Sequence, residues 1–210
     1  MTAHRSTVSN ANGIFAVTSG GVARPGDWEA FDFLIAHITV SNLGAVTPPA
    51  GWVEQTLPVV DNGAIQKRIY LHRIVDLTLE PATYTWTFSL GAYALVVSAY
   101  RSCLGVASWS QITDGLSVLT HPTASIAGHD GGYIVSSFGA SSLLALGWAP
   151  QGGDVERADV IGGLLVGLNV NMMVADANGE TDATPVSRTA TSLDLVNELT
   201  ALDRALVLLR

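Results

Sequence analysis

Lysine is all but missing from this chain: Lys67 is the only one in 210 residues. Charge of either sign is scarce, at 13 % of residues against a usual share of about 25 %. An exterior so poor in charge is finished in one of two ways. Either it is built from Ser, Thr, Gly and Ala, or other protein covers part of it. The net charge is −8, the pI is near 4.9, and no cluster of Lys and Arg appears, so no nucleic-acid partner is expected. No apolar run approaches the roughly 18 residues of a membrane span. Met1–Ser6 lacks the apolar core of a secretion signal. The single cysteine, Cys103, excludes an intrachain disulfide, and its apolar context makes it a small buried hydrophobe.

What is present is strand patterning cut by turns. Helix signals are nearly absent through the first half of the chain. Residues 1–13 read as an arm or a loosely held first strand, and Ile14–Val17 as a short strand. The Ser19-Gly20-Gly21 and Arg24-Pro25-Gly26-Asp27 cluster predicts a turn. Phe31–Val40 is a long apolar run of the kind buried on both faces. Thr47-Pro48-Pro49-Ala50-Gly51 cannot continue a helix, and Trp52 follows it where the chain re-enters a sheet. Trp52–Val60 and Ile65–Val75 flank Asp61-Asn62-Gly63, a hairpin signal. Thr83–Ser89 alternates Thr and Ser with Tyr84, Trp86 and Phe88, the period of a half-buried strand. Tyr93–Arg101 and Val106–Ile112 continue as strands.

The second half repeats these signals at an offset of about 100 residues, far longer than a solenoid period of about 20–50. Tyr133–Phe138 parallels Phe33–Ile38, Asn169–Asp176 parallels Tyr70–Asp76, Ser187–Ser192 parallels Thr85–Ser89, and Arg204–Leu209 parallels Leu95–Tyr100. Gly147-Trp148-Ala149-Pro150 takes the place of the first Trp turn with its order altered. The expectation is an all-β protein, an antiparallel β-sandwich or jelly-roll-like fold of two similar units. Residues 1–22 would form the arm and first strand, 23–112 the first unit and 113–210 the second, unless all form one continuous sandwich. Leu193–Leu199 is expected to make a short helical turn before a terminal strand.

Chemistry-bearing patterns are few. His4, His37, His72, His121 and His129 form no zinc-like pairs, and His37 and His72 read as satisfied structural histidines. Asp176-Ala-Asn178-Gly179-Glu180-Thr-Asp182 has the outline of a calcium loop, but an Asn-Gly hairpin explains it better. Gly139-Ala-Ser141-Ser142-Leu143 lacks the second glycine of a hydrolase elbow, and the acids fall mostly at turns. No catalytic residue, metal or cofactor is therefore expected. Of five tryptophans, Trp86 is assigned to the core. Trp28, after Gly26-Asp27, is expected to be exposed and is the candidate for stacking on a sugar ring.

The run Pro25-Gly26-Asp27, Leu34–Val40, Thr47–Trp52, Tyr70-Leu71-His72-Arg73, Glu80–Ser89 and Ala99-Tyr100-Arg101 resembles a β-sandwich module. It is the module of minor tail and other surface proteins of tailed-bacteriophage virions, found also in secreted bacterial adhesin-like proteins. The family pattern has glycine after Tyr-Arg, where this chain has Ser102. The resemblance implies a structural virion protein on the tail or decorating the capsid, made in the host cytoplasm. Its partners would be other virion proteins and copies of itself. The alternative it leaves open is a carbohydrate- or receptor-binding adhesion module, with a host surface glycan as one partner.

Overall fold

The computed structural model describes residues 3–13, 15–55, 60–61, 65–114, 119–142, 147–163, 169–177, 184–193 and 200–209. In the first half the strands are β1 (Ala3–Ala11), β2 (Val17–Ala23), β3 (Phe33–Val40), β4 (Val46–Thr47), β5 (Val53–Glu54), β6 (Val60–Asp61), β7 (Gln66–Arg73), β8 (Thr83–Gly91) and β9 (Tyr93–Arg101). The second half holds β10 (Gly105–Asp114), β11 (Thr120–Pro122), β12 (Tyr133–Ser142), β13 (Trp148–Pro150), β14 (Asp154–Gly162), β15 (Asn169–Ala177), β16 (Thr189–Ser192) and β17 (Thr200–Leu209). The protein is all-β and antiparallel, as the patterning implies.

Two sheets are broad, β1-β9-β3-β7-β5 with β6 beside β7, and β10-β17-β12-β15-β14. Two are narrow, β2-β8-β4 and β11-β16-β13. With β6 set aside and the eight strands of each half numbered from one, both halves read 1-8-3-6-5 and 2-7-4. This is a jelly-roll-like order, in which first strand pairs with last and second with seventh. The sequence boundaries shift accordingly. Val106–Ile112 does not close the first unit, because β10 pairs with β17 and lies in the second broad sheet. Of the two readings for the N-terminus, arm or first strand, residues 3–11 form the strand: β1 pairs with β9 from Ala3↔Arg101 to Ala11↔Ala94. A jelly roll closes on its last strand, too distant in sequence for local pattern to reveal the pairing.

The layers follow from period-two alternation. Leu34, Ala36 and Ile38 of β3 face Trp86 and Phe88 of the narrow sheet in one core. Phe33 and Ile35 face the other way, against Val135, Met172 and Val174 of the second broad sheet. Phe138, Ala140 and Met173 then pack on Trp148 and Ala190. Four layers result, with the two broad sheets back to back, so every residue of β3 and β15 is buried. The contact is close at Gly162, where a Cβ would strike the Tyr93 carbonyl.

Gly20 and Gly21 lie inside β2 rather than in a turn. A Cβ on Gly20 would run into the Tyr93 ring, so the glycine serves packing. Of the expected Ile14–Val17 strand, Ile14 lies outside the described residues, Phe15 is 70 % exposed, and Val17 opens β2. β6 and β7 pair as a hairpin requires, while Asn62 and Gly63 fall outside the described residues. So do residues 194–199 of the expected helical turn.

Lys67 guards no edge. It lies in β7 with no exposed surface. The sheet edges are managed otherwise. β1, β10 and β14 carry an extra residue each, the β2–β8 pairing shifts register with its extra residues on β8, and β4, β5, β11 and β13 are two or three residues long. Bulges and short strands both deny a neighbour a continuous row of backbone groups.

Candidate functional site

Strand direction decides which side chains meet at one end of the first broad sheet. β7 and β9 both run antiparallel to β3. Their last residues, Arg73 and Arg101, therefore finish where β3 starts, and Ala3 opposite Arg101 brings the start of β1 to the same end. Arg5 is the extra residue of the β1 bulge, which turns a third guanidinium toward this end. An open pocket of about 730 Å³ forms between these arginines, with Phe31, Asp32 and Leu104 also in its wall.

The arginines are not equivalent. Arg5 is committed: its Nε lies 2.7 Å from Asp32 Oδ2, and Nη2 donates to Glu29 Oε2 at 2.9 Å. Arg73 donates Nη2 to the Cys103 carbonyl at 2.7 Å and Nη1 to the Phe31 carbonyl at 3.4 Å. Its guanidinium also sits 5.3 Å from the Phe33 ring centre. Carbonyls orient that charge without neutralising it. Arg101 is exposed, and its side chain has no hydrogen bond or ion pair among the described residues.

Two backbone positions in the pocket wall are strained. Phe31 has φ 70° and Ser102 φ 54°, the left-handed region, which costs a residue with a Cβ on the order of 1–3 kcal/mol. The Phe31 loop is held from both sides. Its N–H donates to the Ile74 carbonyl at 2.6 Å, and the Glu29 N–H donates to Asp32 Oδ2 at 2.8 Å. Ser102 keeps the conformation a glycine would take there. Cys103 beneath it is buried, and burial pushes its thiol up to about 11.

A second constellation lies at the Pro-Pro-Ala-Gly turn. His72 bonds the Gly51 carbonyl through Nδ1 at 3.0 Å, and both Glu80 oxygens through Nε2 at 2.9 and 3.0 Å. Tyr84 donates to Glu80 Oε2 at 2.7 Å, and burial with that contact keeps its phenol protonated. Trp52 stacks on the imidazole with ring centres 5.2 Å apart. Both ring nitrogens of His72 are thus occupied in clamping one turn to another. An open pocket of about 620 Å³ lies beside the clamp.

Trp28 corrects an expectation. It is 2 % exposed, stacks on Tyr84 with centres 6.1 Å apart, and donates Nε1 to Ser6 Oγ at 2.8 Å. β1 supplies that partner from 22 residues away, which no local pattern discloses. The ring has no face left for a sugar. Trp86, with no exposed surface, is core as assigned. No family model, no curated protein and no solved structure matches the chain. Function must be read from geometry.

Asp176, first residue of the calcium-like stretch, lies in β15 with no exposed side-chain surface. Residues 178–183 fall outside the described residues. Arg157, the extra residue of the β14 bulge, meets Asp176 Oδ1 through Nε at 2.8 Å and Nη2 at 2.7 Å. Tyr100 of the first unit donates to Asp176 Oδ2 at 3.2 Å. Burial and the Asp176 charge push the neighbouring Tyr133 phenol up to about 12. This is a pin across the two units. Among the described residues, no three His, Cys, Asp or Glu side chains are placed to share a metal ion, and no helix is long and apolar enough to cross a membrane.

Proposed function

We propose that the chain is a structural protein of a bacteriophage virion, on the tail or decorating the capsid, acting by protein–protein assembly. The observation that carries this reading is the exterior. The sole lysine is buried, while Phe15, Phe31, Leu79, Leu90 and Leu104 are 67–81 % exposed. Single exposed apolar residues are ordinary, but Phe31 and Leu104 share one pocket wall, a combination that favours covering by another protein. Jelly rolls recur in viral capsid proteins and in lectins, an analogy that adds weight without deciding. With most of the described sheet edges bulged or short, contacts would run through loops and side-chain faces.

The repeated strand order supports a further proposal, that the halves arose by internal duplication. Superposing residues 25–101 on 129–209 tests it, and unmatched strands would remove it. For the assembly reading, mass spectrometry of purified particles should find the chain, and light scattering should show self-association or binding to particle proteins. A monomer absent from particles that binds polysaccharide tightly would replace this reading with the adhesion module.

A further inference from the structure

We propose that the pocket between Arg5, Arg73 and Arg101 binds a carboxylate on a peptide segment of a partner protein, with an apolar neighbour of that carboxylate against Phe31 and Leu104. The inference rests on the assembly reading and names the chemistry of one contact.

Charge selects the anion. Three guanidiniums face two carboxylates, those of Glu29 and Asp32, which leaves one positive charge in the wall. That excess matches a monoanion and undermatches a phosphate dianion. Its location is specific. Arg5 is spent on Asp32 and Glu29, whereas Arg73 hydrogen-bonds only to carbonyls and the Arg101 side chain has no hydrogen bond or ion pair among the described residues. Arg73 is already oriented by two carbonyls and the Phe33 ring, so little freedom is lost when an anion arrives. The planar fork of an arginine suits the two oxygens of a carboxylate.

The apolar half of the ligand follows from Phe31. This residue bears two unfavourable conditions at once: φ 70° and 67 % exposure. Its N–H donates to the Ile74 carbonyl and its carbonyl accepts from Arg73, which holds the backbone, but the ring stays largely uncovered. A strained backbone that presents an aromatic ring to solvent makes sense as a preorganised anchor for something docked against it. Leu104, 70 % exposed, stands in the same wall. A glycan acid would supply the charge but not an apolar side chain to meet these two.

The test is an NMR titration of the full chain, following backbone amides near Phe31 and Ser102 and the arginine Nε–H signals. The probes are acetyl-Leu-Leu with a free carboxylate, its neutral C-terminal amide, glucuronate and inorganic phosphate. The free carboxylate should shift those signals and bind about tenfold or more tighter than the amide, the effect of one charge-assisted hydrogen bond. Arg101→Gln, at an exposed side chain without internal partners, should fold normally and weaken binding to a similar degree. Phe31→Gly relieves the strained φ, so it should melt higher while binding the probe less well. Equal binding of carboxylate and amide, tighter binding of glucuronate or phosphate, unchanged affinity in Arg101→Gln, or a lower melting point for Phe31→Gly would each overturn the proposal. A flat titration removes the pocket and leaves the assembly reading standing. Absence of the chain from particles removes that reading and leaves a positive titration standing.

Discussion

Replacing Asp176 by Ala should be among the most damaging single changes in this protein. Its side chain has no exposed surface, and its partner Arg157 is only 19 % exposed. The carboxylate takes both Arg157 contacts, at 2.7 and 2.8 Å, and the Tyr100 hydroxyl at 3.2 Å. Removal leaves a guanidinium largely out of water without a counter-charge and a buried phenol without its acceptor. Breaking a buried pair from one side costs about 3–5 kcal/mol. A chain of this size loses about 2–4 °C of melting temperature per kcal/mol, so the expected drop is about 6–20 °C. Arg157→Ala should cost a similar amount, by stranding Asp176. The double variant should cost less than the sum by about 0.5–3 kcal/mol, because neither charge is left alone. Thermal melts followed by circular dichroism give all four corners of the cycle. A loss under about 2 °C for Asp176→Ala, or strict additivity, would refute the view that this buried pair stabilises the fold and fixes the carboxylate that Tyr100 of the first unit reaches.

Trp28→Ala and Trp86→Ala should each lower stability by about 3–5 kcal/mol, since both rings are buried; a melt that spared Trp28→Ala would contradict its place against Tyr84. Cys103, 1 % exposed with its thiol pushed up to about 11, should resist a thiol reagent in the native protein and react once guanidinium unfolds it. Burial, and then Arg157, lower the His4 pKa below 6.5. A depressed histidine disfavours its proton in the folded state, so its penalty is absent above 6.5 and grows as pH falls through that value. Melting temperature should therefore fall more steeply between about pH 7.5 and 5 in the native chain than in His4→Gln, and parallel curves would count against this environment.

Much of the architecture was legible because it is written locally. Thr83–Ser89 alternates in sequence, and its burial alternates in register. The continuous apolar run of Leu34–Val40 became a strand sandwiched between two cores. Even the recurrence of motifs fell on equivalent strands, β3 with β12 and β8 with β16. What escaped depends on partners far along the chain. Trp28 looked solvent-facing beside Gly26-Asp27, yet β1 crosses it and Ser6 satisfies its N–H. Phe31 looked like the first residue of a buried strand, but strand pairing starts at Phe33 and the loop before it turns outward. The arginine pocket had one faint signal, the arginines that end the motifs Tyr70-Leu71-His72-Arg73 and Ala99-Tyr100-Arg101. Only the β1-β9-β3-β7 order shows that these ends coincide.

The back-to-back broad sheets carry a consequence for biosynthesis. Once Arg101 has left the ribosome, the first jelly roll has all its strands and can close around its own interior. Its outer face, with Phe33, Ile35, Ile69, Ala94 and Val96, still waits for strands that have not been translated. The last of them, β17, ends at Leu209. At about 5–20 residues per second the wait is on the order of 5–20 s. During that interval the nascent chain presents a sheet-sized, mostly apolar surface on which Lys67, later buried near Gly139 of β12, is the single lysine. Translation speed through the second half, and the chaperones that meet the emerging chain, therefore govern how much of this protein reaches its native state.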